Sequence, residues 1–281
     1  MENKRILIIG GTGYIGKALV EELIKEKISF NCLSRNNFLD SRISWVKGDI
    51  LNLNQLIAAT KDINIIIYLA ALKKGSFKKC FRTNVIGLKN TITAMKANNV
   101  RKIIYFSTKN VLLKKRDNYA ETKKIAESIL SKSGVASAIL RPDVVYGLDK
   151  ENILSKIISF SMKYGVFIIP GLKDRKFYPV NKQALAEVCL GILRKFKPGV
   201  YPISGNQTTL RGLITRAASL SKKKITILNL PLFIFELVEK ILPLSLSVFR
   251  EDRFSSKKDT FFRNLDQDIV KILSLVQERK K

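Results

Sequence analysis

Arg5-Ile-Leu-Ile-Ile-Gly10-Gly-Thr-Gly-Tyr-Ile-Gly16 decides the fold. One basic residue leads into four apolar ones, then a glycine cluster, then an amphipathic segment beginning at Tyr14. Consecutive apolar residues before a turn read as a strand buried on both faces, hence as part of a parallel sheet. Gly10, Gly11, Gly13 and Gly16 mark the turn from that strand into a helix. Glycine meets three needs there: a tight turn, approach of a pyrophosphate to bare backbone, and close packing of helix on strand. The helix N-terminus adds free N–H groups and a partial positive charge. Gly10 to Gly16, with Thr12, Tyr14 and Ile15 between them, is therefore a candidate dinucleotide-binding turn. The plainer alternative, a turn without a ligand, is disfavoured by the strand before it and the helix after it.

Composition removes whole classes of chemistry. The chain has 281 residues and no histidine, which excludes Ser-His-Asp and Cys-His nucleophiles and every histidine-based metal site. Cys32, Cys80 and Cys189 are far apart and form no ligand spacing, so no metal is expected. They fit a reducing compartment and are expected to be small buried residues. No signal-peptide pattern precedes the first strand, and a cytoplasmic location is expected. The formal charge is +28. Its lysines are scattered in pairs such as Lys73-Lys74, Lys78-Lys79 and Lys114-Lys115. They read first as a solvated, lysine-rich surface and second as a positive field for an anionic small molecule or an acidic membrane. No nucleic-acid motif or set of stacking aromatics accompanies them, so no nucleic-acid partner is expected.

Strands and helices alternate through the first half. Strand-like runs are Arg5–Ile9, Ser29–Leu33, Ile43–Val46, Ile63–Leu69, Lys102–Phe106 and Ala136–Leu140. Helical patterns cover Tyr14–Glu26, Leu53–Thr60, Phe81–Asn98 and Tyr119–Ser133. This predicts an α/β fold, a doubly wound parallel sheet with ligands at the carboxyl ends of its strands. Residues 1–147 are expected to form the NAD(P)-binding domain. Residues 148–281 are expected to form mainly a smaller substrate lobe, with returns to the sheet. Its helices are placed at Ile153–Met162, Gln183–Phe196, Thr209–Leu220 and Leu232–Leu242, and its strands at Phe167–Ile169, Val200–Ile203 and Ile225–Leu228. The stretch Leu228–Phe249 is apolar but interrupted by Pro231, Glu236, Glu239, Lys240 and Pro243. That argues for a core helix rather than a transmembrane span; weak attachment to a membrane surface stays open, as does a homodimer.

The second anchor is Tyr119-Ala-Glu-Thr-Lys123, on the helix after the strand ending Tyr105-Phe-Ser-Thr108. Residues four apart share a helix face, so Lys123 lies one turn from Tyr119. A nearby ammonium is expected to lower the phenol pKa, fitting Tyr119 to exchange a proton with a substrate oxygen. Lys123 would also hold the nicotinamide ribose, and Thr108 would give its hydroxyl to the same oxygen. Alone, a Tyr…Lys pair is commonly a solvated face. What raises it is the order: glycine turn, Ser-Thr after a strand, Tyr…Lys on the next helix.

In that order the chain resembles the extended short-chain dehydrogenase/reductases, specifically the NAD-dependent epimerase/dehydratase family acting on nucleotide sugars. The likeness covers nearly the whole chain. It includes Gly48-Asp49-Ile50, where the resemblance implies an adenine contact, and Leu69-Ala70-Ala71-Leu72-Lys73, similar to the family's strand end beside the cofactor. Thr83-Asn84-Val85 resembles the family's asparagine helix, and Asn84 is carried as a substrate-side residue. Arg141-Pro142 to Gly147 matches the strand entering the substrate lobe. Arg175-Lys-Phe, read as entering a helix, is similar to the arginine meeting the sugar-nucleotide pyrophosphate, and Val200 to Gly205 to the return strand. Three departures stand out: a short loop between Val111 and Tyr119, Val144 where many relatives carry asparagine, and Lys109-Asn110 instead of the Asp-Glu of sugar dehydratases. Ser34-Arg35 stands where an acidic residue would take the adenosine ribose, which favours NADP(H) over NAD.

The resemblance thus implies an NAD(P)-dependent nucleotide-sugar epimerase or 4-keto reductase with Tyr119, Lys123 and Thr108 as its catalytic residues. A non-catalytic NAD(P)-binding sensor or assembly protein of the same fold is the alternative.

Overall fold

The computed structural model describes residues 5–36, 40–149, 152–239 and 265–277. The elements run β1 (Ile6–Ile9), α1 (Tyr14–Lys25), β2 (Asn31–Ser34), β3 (Ser44–Lys47), α2 (Leu53–Ala59), β4 (Ile65–Tyr68), α3 (Phe77–Phe81), α4 (Gly87–Ala97), β5 (Lys102–Phe106), α5 (Asn118–Ser131) and β6 (Ala136–Pro142). There follow β7 (Val145–Tyr146), α6 (Ile153–Tyr164), β8 (Val166–Pro170), β9 (Lys176–Phe177), β10 (Val180–Asn181), α7 (Lys182–Arg194) and β11 (Gly199–Ile203). Last come β12 (Thr208–Thr209), α8 (Leu210–Leu220), β13 (Thr226–Leu230), α9 (Leu232–Glu239) and α10 (Leu265–Gln277). The chain divides into two compact units, residues 1–142 with 183–202, and residues 143–182 with 203–281.

The first unit is built on a seven-stranded sheet in the order β11-β6-β5-β4-β1-β2-β3. The pairs from β3 across to β6 are all parallel. That order winds outward from β1 in both directions, the doubly wound arrangement expected from the alternating pattern. Both faces are buried, which is why the strands read as continuous apolar runs. Leu7, Ile9, Ile66, Tyr68, Ile103 and Tyr105 face one core with Leu56 of α2, Ile92 of α4 and Leu130 of α5. Ile6, Ile8, Ile65, Ile67 and Ile104 alternate with them and are equally buried. On that side an ion pair of 2.8 Å joins Arg194, closing α7, to Glu26, closing α1. The three cysteines are buried and free, as expected.

One predicted helix is refined. The stretch Phe81–Asn98 is helical, but it begins earlier, at Phe77, and widens into a π-turn over Arg82–Ile86 between α3 and α4. A contact distant in sequence accounts for the widening. The Asn84 side chain lies inside this turn and clamps the backbone of Leu72.

The second unit has a core of its own, in which Leu154, Ile157 and Ile158 of α6 meet Leu213 and Ile214 of α8 and Ile269 and Ile272 of α10. The strands are short: β8 with β13, β9 with β12, β10 with β7. Arg175 leads into β9, not into a helix as the sequence suggests, because Lys176 and Phe177 pair with Thr209 and Thr208. The buried Asp268 of α10 accepts hydrogen bonds from the Tyr146 hydroxyl at 2.6 Å and the Asn181 amide at 3.0 Å. Of the predicted helix Leu232–Leu242, the part beyond Glu239 lies outside the described residues. No helix among the described residues is long and apolar enough to cross a membrane.

Candidate active site

Register aligns three strand ends. Ile9 pairs with Tyr68, and Tyr68 with Tyr105, so the segments leaving β1, β4 and β5 emerge side by side at neighbouring-strand spacing, about 4.8 Å. They carry the glycine turn, Leu69 to Lys73, and Ser107 to Lys109. The Leu69 and Ala70 N–H groups both donate to the Ile9 carbonyl, at 2.8 and 3.0 Å.

The glycine turn is held by contacts that leave no room for side chains at two positions. Gly10 has φ +96°, and a Cβ there would stand 2.6 Å from the Ala70 nitrogen. A Cβ at Gly16 would stand 2.3 Å from the Gly10 carbonyl oxygen. Gly13 differs: it is exposed, it is the N-cap of α1, and a Cβ there would meet only the Gly10 oxygen at 3.2 Å. No side chain caps α1 and its first turn holds no acid, so its terminal N–H groups suit an outside anion. A bare cradle at a helix N-terminus fits a dinucleotide pyrophosphate.

Around this turn the sequence-predicted residues fall as follows. Arg35 is exposed, just past β2. Asp49 shapes the turn before α2, accepting from the Leu51 N–H at 2.9 Å. Ile50 packs its side chain on Gly87 and accepts from Asn90 through its carbonyl. Asn84 is fully buried and its carboxamide is fully engaged. It accepts from the Leu72 N–H at 2.7 Å and donates to the Leu72 carbonyl and to the Thr122 hydroxyl. With both donor hydrogens used inside the protein, it ties the Ala71–Lys73 segment to α5 rather than facing substrate, a correction to the sequence reading. Arg175 and Val144 belong to the second unit, where Val144 is a core residue.

Lys123 is 1% exposed. Its ammonium donates to the Phe106 carbonyl at 2.6 Å and lies 4.4 Å from the centre of the Tyr105 ring. Burial, then the charge of Lys73, pull its pKa down to about 7, against the opposing Glu127 carboxylate. Glu127 is anchored in turn by Arg141 at 2.5 Å. Tyr119, one turn before Lys123, is half-buried. Its pKa is raised, first by burial and then by the Asp117 carboxylate. This reverses the expected lowering, since the cost of a phenolate inside the protein outweighs any ammonium attraction. Thr108 is buried and accepts the Asn110 N–H at 3.2 Å. Its hydroxyl proton stays available to a substrate oxygen. The hydroxyls of Ser107 and Tyr105 are buried without hydrogen-bond partners. Sequence reasoning missed Tyr105 and Glu127. The four-residue spacing from Lys123 to Glu127 was a usable signal; the Tyr105 ring left none.

Fold and turn together define a Rossmann-type protein of the nicotinamide-dinucleotide class. The chain belongs to the NAD dependent epimerase/dehydratase family, whose model matches residues 6–164. Among curated relatives, it is 25% identical over 199 residues to 2-alkyl-3-oxoalkanoate reductase of Shewanella oneidensis, covering 60% of this chain and 51% of that protein. It is 28% identical over 169 residues to human sterol-4-alpha-carboxylate 3-dehydrogenase, decarboxylating, covering 51% of this chain and 45% of that protein. The chain spans about half the length of the curated relatives it matches. A solved structure of MoeE5 in complex with UDP-glucose and NAD shares the fold, with TM-score 0.78 and 17% identity over 99% of this chain and 100% of that one.

Proposed function

We propose that this chain is an NAD(P)-dependent enzyme moving a hydride at a secondary alcohol or ketone of a nucleotide-activated sugar, as an epimerase or a 4-keto reductase. The observation that carries the reading is Lys123, a buried lysine fixed between the Phe106 carbonyl and the Tyr105 ring, one helical turn from Tyr119, with Thr108 two residues along the chain from Phe106. Gly10 to Gly16 would hold the pyrophosphate, with Asp49, Ile50, Leu69 to Ala71 and Lys73 along the cofactor. A bound nicotinamide supplies or takes the hydride. Tyr119 keeps its proton at neutral pH and gives it to a ketone oxygen as the hydride arrives; in the reverse direction the phenolate would take the alcohol proton as the hydride leaves. Thr108 donates a second hydrogen bond that fixes that oxygen, and Lys123 exchanges charge near pH 7 beside them. Asn84 is a positioning residue. Arg35 would meet a 2′-phosphate, which favours NADP(H).

The second unit is read as the substrate lobe, with Arg175 on the substrate diphosphate. It also has an open cleft of about 440 Å³ lined by Asn206, Gln207, Thr208 and Arg216. A second reading keeps the chemistry and changes the substrate. The curated relatives are named for a sterol carboxylate and an alkyl oxoalkanoate, which favours an alcohol or ketone on an apolar carbon skeleton.

Calorimetry with NADH and NADPH tests the cofactor site. Gly13→Val should abolish binding while costing less stability than a side chain at Gly10 or Gly16, because a Cβ there meets only the Gly10 oxygen. Retained binding would move the cofactor elsewhere. Tyr119→Phe should lower turnover by about two to four orders of magnitude with cofactor affinity unchanged. Arg175→Ala should weaken UDP or dTDP alone. A wild type with no nucleotide affinity that turns over 3-oxo acids or sterols would select the second reading.

A further inference from the structure

One face of the second unit combines exposed large apolar side chains with a predominantly basic surround. Leu172 is 75% exposed and Phe233 72%, with Leu228 and Leu232 also exposed. These four are brought together by one short stretch of backbone. β13 runs parallel to β8, with Leu228 opposite Ile168 and Leu230 opposite Pro170. The Gly171 N–H donates to the Leu230 carbonyl at 2.7 Å, and the Asn229 amide donates to the Gly171 carbonyl at 3.1 Å. A Cβ on Gly171 would touch Leu232 at 3.5 Å. Leu172 therefore leaves the sheet beside the start of α9, where Leu232 and Phe233 stand.

The charge around them is mainly basic. Residues 163–176 carry four lysines and arginines and one acid, Asp174, and residues 210–239 carry five lysines and arginines and two acids, Glu236 and Glu239 of α9. The cations lie at both ends of the β8–β13 ladder. Lys173 and Arg211 are exposed near Leu172, where the Asp174 carboxylate accepts from the Arg211 N–H. Lys222, Lys223 and Lys224 are exposed before β13 begins. Lone exposed leucines are ordinary, but a cluster of them within a basic rim marks a contact surface.

We propose that this face docks on an anionic lipid bilayer, with Leu172, Leu228, Leu232 and Phe233 entering the acyl boundary and the surrounding lysines and arginines meeting the headgroup phosphates. Charge complementarity selects this occupant. A protein partner would have to bring matching carboxylates, whereas an anionic leaflet offers phosphates everywhere, and long basic side chains place their charged groups at headgroup level while their stems stay apolar. A nucleic acid would call for flat rings to stack bases on; three of these four side chains are aliphatic. The binding is peripheral, by insertion of side chains beside a short helix, and needs no spanning segment. It is independent of the reading of Tyr119 and Lys123.

The test is sedimentation of the full chain with vesicles. Wild type should co-sediment with phosphatidylglycerol–phosphatidylethanolamine vesicles, should bind far less to phosphatidylcholine alone, and should be released progressively by salt. Leu172→Ser with Phe233→Ser should weaken binding by about tenfold or more, since each side chain forfeits apolar burial. Both positions are exposed, so the thermal transition should not move. If that variant fails to fold, Lys173→Glu with Lys224→Glu serves in its place and must also lose binding. No binding to the anionic vesicles overturns the proposal. So does binding unchanged by the Ser substitutions, which would leave only unspecific attraction between lysines and a polyanion. A wild type that self-associates through this face without binding vesicles would give it to a second copy of the chain, and preference for RNA over vesicles would overturn it equally.

Discussion

A lysine ammonium held by one carbonyl and one aromatic face, with almost no access to water, is an expensive feature for a protein to keep. Lys123 is such a group, and burial pulls its pKa down to about 7. In the unfolded chain a lysine titrates at about 10.4. Between those values the unfolded chain holds a proton that the folded protein has released, so folding stability gains with rising pH across that window. Wild type should therefore gain in urea midpoint relative to Lys123→Met between about pH 7 and about pH 9; a constant difference would mean that Lys123 keeps its charge throughout. The neighbouring ring and its hydroxyl can be separated. Tyr105→Phe retains the cation–π contact and removes a buried hydroxyl with no partner, so it should be neutral or stabilising. Tyr105→Leu should lower stability by about 1–3 kcal/mol and weaken cofactor binding through Lys123.

At the scale of elements, the strand–turn–helix at Ile6–Lys25 sets the most stringent steric condition. Gly16→Ala drives a Cβ into the Gly10 carbonyl, backbone against backbone, and should cost more than about 2 kcal/mol together with cofactor binding. Gly191→Ala is its counterpart, in the last turn of α7 with nothing within 4 Å of the new Cβ. It should stabilise by about 0.5–1 kcal/mol through helix propensity. Denaturant midpoints for the two variants should move in opposite directions. The same turn explains why so much of the first unit was legible. Its chemistry is local, and strands buried on both faces announce themselves as apolar runs such as Ile63–Leu69. Thr108, Tyr119 and Lys123 could be picked out because strand end and helix spacing lie within sixteen residues of each other. The π-turn at Arg82–Ile86 could not, because Asn84 within it clamps Leu72, twelve residues upstream across a loop. Two-residue strands such as β9 and β12 have no period to detect. Helix α10 did carry a signal, with Leu265, Ile269, Ile272 and Leu273 at helical spacing, and the sequence reading did not use it.

For the whole molecule, two cores imply that one unfolding transition is too few. Asp268→Ala removes the one acceptor to which both the Tyr146 hydroxyl and the Asn181 amide donate. It should cost the second unit roughly 2–5 kcal/mol. The expected outcome is a lower first transition in a denaturant series, while protection of the β1–β6 sheet in hydrogen exchange is unchanged; a single shifted transition would show that the units melt as one. The path of the chain has a further meaning for synthesis. Residues 1–142 make most of the seven-stranded sheet, the chain leaves to begin the second unit, and only residues 183–202 come back with α7 and β11. On the ribosome β6 must therefore wait as an open edge while the first part of the second unit is being translated. An unpaired edge invites pairing with other chains. A nascent chain arrested between Pro142 and Gln183 would be the species most in need of a chaperone, and slowing translation there should raise aggregation, whereas slowing it after Pro202 should not.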